Sequence, residues 1–169
     1  MTISPQTLDI IRQQLGREPR GMMAVAAESA DGVPLVLQMR SVVDGKPFPT
    51  LYWLCSSTLH KAIARLETAG VVKALEQWLQ QDAAFQEAYR LNQQDYVERR
   101  LQLMLEEDAA YLRQRGLWES FNRQGIGGIA RWDRVRCLHM QYAHHLVEGN
   151  VIGAWLDQHY QLNQQNIYG

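Results

Sequence analysis

The sequence predicts an α+β fold: a small three-stranded antiparallel meander covered by several α-helices, one of them long and central. Two observations carry this. Between Gly21 and Cys55, short apolar runs are separated by Asp31-Gly32 and Asp44-Gly45, dipeptides that close hairpins. From Ser57 onward apolar residues recur at three- and four-residue spacing, and residues 82–115 contain neither Gly nor Pro. At 169 residues, with 46% hydrophobic and 21% charged content, the chain suits one globular domain spanning 1–169.

Residues 1–20 hold an N-terminal helix. In "SPQTLDIIRQQLG", Ser4 can cap, Pro5 suits the first helical position, Gly16 ends the run, and Leu8, Ile11 and Leu15 form the apolar stripe. Residues 21–55 supply the meander through "GMMAVAAE", "VPLVLQMR" and "LYWLCS". Residues 57–115 are helical. "SSTLHKAIARLETAG" stops at Gly70, and "VVKALEQWLQQD" carries Val71, Leu75 and Leu79. A continuous helix from Asp82 to Arg115 would be roughly 50 Å long, more than so small a domain can cover, so it should bend, break or project. Residues 125–162 bring a glycine loop, a helix rich in Cys and His, and a last short helix before the polar tail "NQQNIYG".

A net charge of −1 provides no global attraction to nucleic acid, which is therefore disfavoured as a partner. No apolar run approaches the roughly 20 residues that cross a bilayer, and the start lacks the pattern of a secretory signal. The expectation is a cytoplasmic protein with no membrane partner, whose Cys55 and Cys137 stay as thiols.

"RWDRVRCLHMQYAHHLVEGN", Arg131 to Asn150, reads as a single helix. On it His139 lies in an apolar stripe with Trp132, Val135, Tyr142 and Leu146, while Cys137 and His144 point the opposite way. Cys137 and His139 then diverge, and Cys137 and His144 are two turns apart, so zinc is disfavoured and no metal is assigned. A metal set would have to draw on Cys55, Cys137, His139 and His144, with His60 or His159 brought in by the fold. A buried His139 needs a partner for each ring nitrogen. Upstream, "GIGG" with Arg123, Arg131, Arg134 and Arg136 reads either as a flexible loop with solvated arginines or as an anion site at a helix start, and it matches no phosphate-loop motif.

The stretches "RGMMAVAAE", "DGVPLVL", "GKPFPTLYWLC", "ARLETAG", "GIGGI" and "RCLHMQYAHHLVEGNVIG", in this order, are similar to an uncharacterised bacterial family known as domain of unknown function 501. The resemblance spans Arg20 to Gly153 and implies a cytoplasmic bacterial protein without an assigned activity. It places Arg20, Gly21, Pro49, Cys55, Gly127, Gly128, Cys137, His139, His144, Asn150 and Gly153 at motif positions. Relatives often read Thr-Cys-Pro after the third strand, whereas this chain has "LCSS", which puts the role of Cys55 in doubt.

Two functions follow as expectations. The first is a pocket for a small phosphate- or carboxylate-bearing ligand where the third strand's end meets the Cys/His helix. Arg20, Gly127, Gly128, Arg134, Arg136 and Asn150 would bind it, His139 or His144 would move protons, and Cys137 would be a candidate nucleophile. The second is a non-enzymatic module docking a protein partner or a second copy through the long helix. Its contacts would be Tyr89, Tyr96, Val97, Leu101 and Met104, with Trp78, Trp118 and Trp155 as anchors.

Overall fold

A computed structural model describes residues 2–165, and the end of the polar tail lies outside them. Helix α1 (Pro5–Leu15) starts and stops as its sequence dictates. Ser4 Oγ accepts from the Thr7 amide, Pro5 occupies the first turn, and Gly16 at φ 69° returns its N–H to the Arg12 carbonyl.

Strands β1 (Met22–Glu28), β2 (Pro34–Met39) and β5 (Tyr52–Leu54) form an antiparallel sheet in the order β1-β2-β5. Val36 faces Leu54 and Leu37 faces Trp53. Between β2 and β5 a two-residue hairpin, β3 (Val42–Val43) and β4 (Lys46–Pro47), adds a second small sheet. Its turn is Asp44-Gly45, both at positive φ, as a tight primed turn requires. Central strand β2 is buried on both faces. Leu35 and Val36 join the main core, while Leu37 and Met39 pack with Ile11 of α1 and with Cys55.

Helices α2 (Ser57–Thr68) and α3 (Val71–Gln81) follow, α2 capped by Ser56 Oγ on the Leu59 amide. The long glycine-free segment breaks. Helix α4 (Ala83–Leu103) ends where Met104 and Leu105 turn extended, and α5 (Glu106–Gln114) begins beyond them. The break lets α5 deliver Asp108, which is buried, to Arg40 Nη2 at 2.5 Å and to the Ser41 amide at 3.2 Å. The buried face of α4 is Phe85, Tyr89, Gln93, Tyr96 and Arg100. Arg100 spends its charge on backbone carbonyls, Pro49 at 2.8 Å and Phe121 at 3.0 Å, with its guanidinium over the Phe121 ring.

Helix α6 (Trp118–Arg123) leads through a single turn at Ile126–Gly128 to α7 (Leu138–Glu148) and α8 (Val151–Tyr160). Helix α7 runs through the main core, where Leu138, Tyr142 and Ala143 are fully buried. Asn150 caps α8 by accepting from the Gly153 amide at 2.6 Å. No described helix is long and apolar enough to cross a membrane.

Candidate functional site

The segment read from sequence as one helix over Arg131–Asn150 is helical only from Leu138. Upstream the backbone is diverted by partners that a helix could not satisfy. Glu76 Oε1, from α3, accepts the amides of Val135 and Arg136 at 3.1 and 3.4 Å, and Tyr89 Oη donates to the Arg134 carbonyl at 2.6 Å. Arg136 sits at φ 60°, in the left-handed region, and Cys137 is extended.

This corrects the geometry of the thiol and imidazole. In a continuous helix Cys137 and His139 would point about 200° apart. Here Cys137 is the residue before the helix and His139 lies in its first turn, and Sγ comes to 3.9 Å from Nδ1. The spacing argument against a shared ion therefore does not hold. A third group joins them from the far end of α2. Glu67 Oε1 is 2.6 Å from His139 Nδ1, and carboxylate, thiol and imidazole donor atoms all lie within 4.8 Å of one another.

His139 meets a partner with each nitrogen, as its burial demands. Nε2 stands 3.1 Å from the His60 backbone carbonyl, and Nδ1 faces Cys137 and Glu67. Burial works against the imidazolium. The Cys137 contact, the His60 carbonyl and the Glu67 charge outweigh it and raise the pKa of His139. The His60 ring lies beside that of His139, centroids 4.3 Å apart; burial, then the neighbouring His139, lower its pKa.

His60, Cys137 and His139 line one wall of a cavity of about 460 Å³ between the end of α1, the end of β5, the start of α2 and the start of α7. The third strand's end and the Cys/His segment do meet there. Arg17 and Lys61 contribute charge, Ser56 and Ser57 lie at the α2 N-terminus, and Trp53, Leu15 and Met140 give apolar surface. Among the described residues no Asp or Glu lines it. Cys55 also borders it, but its thiol donates to the Pro34 carbonyl, and burial pushes its pKa up to about 12. Both cysteines are free.

The other expected site residues are elsewhere. His144 is fully buried across α7 from this cavity. Asn150 Nδ2 donates to its Nδ1 at 3.1 Å, and its Nε2 faces Glu148 at 3.2 Å, which makes the ring a structural link. Asn150 is likewise occupied, with the Gln141 carbonyl and the Gly153 amide. Arg20 pairs with Asp44, and Arg134 with Glu76. Neither these two nor Arg136 lines the cavity.

The glycine loop does not precede a helix start, since α7 begins ten residues beyond Gly128. Gly127 and Gly128 adopt positive φ, and the Gly128 amide is bonded to the Gly125 carbonyl. The Ile126 amide goes to buried Gln93, and a Cβ on Gly125 would stand 2.0 Å from that same Gln93 Oε1. Close packing accounts for that glycine. Of the aromatic contacts expected on the long helix, Tyr89 and Tyr96 are buried in the core, so neither is available to a partner. Leu101 remains exposed.

Sequence reading missed Glu67, Arg17 and Lys61. One signal was present: Glu67 follows His60 by seven residues, two turns along the same face of α2.

A family model described as "Protein of unknown function (DUF501)" matches residues 25–158. No curated protein and no solved structure matches the chain.

Proposed function

The chain belongs to the DUF501 family, and from its own geometry we propose that it binds a small anionic ligand in the cavity above Cys137 and His139. The observation that carries this reading is the make-up of the lining. Two cations, Arg17 and Lys61, two imidazoles and the first turn of α2 converge on a concave surface whose lining holds no carboxylate among the described residues, Glu67 standing behind His139 and Cys137. Helix N-termini and guanidinium groups favour phosphate or carboxylate, and apolar walls strengthen each charge contact by excluding water. Arg17 is held over the Trp53 ring, 5.4 Å from its centroid, which limits the entropy lost when it grips a ligand.

The Cys137–His139 pair gives this site its chemistry. With Nδ1 at 3.9 Å from Sγ, the imidazole is placed to take the thiol proton as a ligand closes over them. Thermal denaturation with phosphate, pyrophosphate and short-chain carboxylates tests the reading. An anion present at about a hundred times its Kd should stabilise the fold by about 2.7 kcal/mol. The gain should vanish in the Arg17→Ala/Lys61→Ala double variant. Identical melting with every anion at matched ionic strength would sink it.

A further inference from the structure

We propose that Glu67, Cys137 and His139 form a zinc site whose open position faces the anion cavity. The donor atoms come from two elements, the end of α2 and the start of α7, and converge within 4.8 Å of one another, all partly buried. A tetrahedral zinc ion with bonds of about 2.0–2.3 Å spaces its ligand atoms roughly 3.2–3.8 Å apart. The observed separations, 2.6 Å from Nδ1 to the Glu67 carboxylate and 3.9 Å from Nδ1 to Sγ, lie on either side of that range. Side-chain rotations that part Nδ1 from the carboxylate and draw Sγ closer would bring all three to bonding distance.

Two further observations point to a cation rather than to a plain ion pair. Glu67 Oε1 is buried without a hydrogen-bond donor aimed at it, although Nδ1 stands so near. A buried carboxylate oxygen in that state is costly unless a positive charge meets it. Second, His139 Nε2 is 3.1 Å from the His60 carbonyl. With the proton held there, the Nδ1 lone pair turns toward Cys137 and Glu67. Metal-ligating histidines are oriented in this way by a carbonyl or carboxylate behind them.

The donor set selects the metal. One sulfur, one nitrogen and one oxygen suit zinc, whereas magnesium and calcium demand oxygen cages. Three protein ligands are the pattern of zinc sites that keep a fourth position for water or substrate. That position would open toward Arg17, Lys61 and His60, so a bound phosphate or carboxylate oxygen could coordinate the ion while the cations hold its remaining charge. Only this last step rests on the anion reading. The ion itself stands on Glu67, Cys137 and His139 alone; with it bound, Nδ1 and Sγ are ligands, and proton transfer between them belongs to the metal-free site.

The test uses the full chain, stripped with a chelator and titrated with Co²⁺ and then Zn²⁺. Stoichiometric binding should give a thiolate-to-cobalt charge-transfer band with the visible absorption of a tetrahedral site, bleached by zinc. Cys137→Ser should abolish the charge-transfer band, and His139→Asn and Glu67→Gln should each weaken zinc binding by about a hundredfold or more. Cys55→Ser should keep the band. Folding of each variant is followed by circular dichroism, and the wild-type cobalt spectrum needs no variant at all. Absence of that band in the wild type, or its loss in Cys55→Ser but not in Cys137→Ser, would overturn the proposal. Zinc binding without any response to phosphate would leave the metal in place and remove the anion reading. A phosphate response without zinc binding would do the reverse.

Discussion

His139 Nδ1 lies 3.9 Å from Cys137 Sγ because the chain is extended through Cys137 and helical from Leu138 onward. Two residues apart in a helix, these groups would face opposite sides. Either side of a helix start, they share one. The pair thus depends on the loop before it, and that loop carries a measurable strain at Arg136, whose φ is 60°.

For a residue with a Cβ the left-handed region costs about 1–2 kcal/mol, part of which glycine recovers. Arg136→Gly should therefore raise stability by about 0.5–1 kcal/mol, and Arg136→Val, branched at Cβ, should lower it by about 1–2 kcal/mol. Midpoints of urea unfolding at constant m-value read both. The Gly variant should keep its response to phosphate, because the Arg136 side chain does not line the cavity. A Gly variant less stable than wild type would mean that the guanidinium makes contacts which outweigh the strain.

Gly153 and His145 define how closely α8 approaches α7. A Cβ on Gly153 would stand 2.0 Å from His145 Cγ and 2.2 Å from its Cβ. Glycine inside a helix ordinarily costs about 1 kcal/mol relative to alanine, so Gly153→Ala would stabilise an isolated helix. Here it should destabilise the protein by about 1–3 kcal/mol, the range for overpacking a core. His145→Ala alone removes the bond to Asp157 and should also destabilise. The double variant should be somewhat more stable than the two single losses predict, since the contacts with the ring disappear while the 2.2 Å contact with Cβ remains. A double-mutant cycle measures that coupling. Strict additivity would show that the helices separate freely, contrary to the packing described.

What was legible in the sequence was local. Ser4, Pro5 and Gly16 bound α1 through their own geometry, and Asp44-Gly45 closes its hairpin at positive φ wherever it is placed. The stretch before Leu138 has helical spacing, with Trp132, Val135 and His139 in step. Its fate was set by Glu76 and Tyr89, distant in sequence, which take its amides and a carbonyl. No periodicity could reveal that competition. The long helix misled for a related reason. Its buried face includes Gln93 and Arg100, polar residues that bond to distant backbone, the Ile126 amide and the Pro49 and Phe121 carbonyls, so Tyr89 and Tyr96 looked available for docking while they were core. Glu67 escaped because a carboxylate near a helix end looks solvated until α7 covers it.

Glu148 should give the protein an acid-sensitive stability term, separate from the cavity. Its carboxylate closes α7 against two other elements. His144 Nε2 is at 3.2 Å from the same helix, Tyr52 Oη donates at 3.0 Å from β5, and Arg99 lies at 3.1 Å from α4. Asp95 and Glu98 of α4 border the same cleft. Burial pushes the Glu148 pKa up. The His144 and Tyr52 hydrogen bonds and the charges of His144 and Arg99 pull it down further, and the net direction is down. A carboxyl group whose pKa is lower folded than unfolded binds its proton more readily in the unfolded chain. Its contribution is therefore complete above the unfolded value of about 4.3 and is lost as pH falls through the folded value. Glu148→Gln should destabilise at neutral pH and lie progressively nearer to wild type as pH drops below about 4. Urea unfolding of both proteins across that range reads the difference. A gap that stays constant with pH would assign the cost of the variant to shape and hydrogen bonding rather than to the carboxylate's charge.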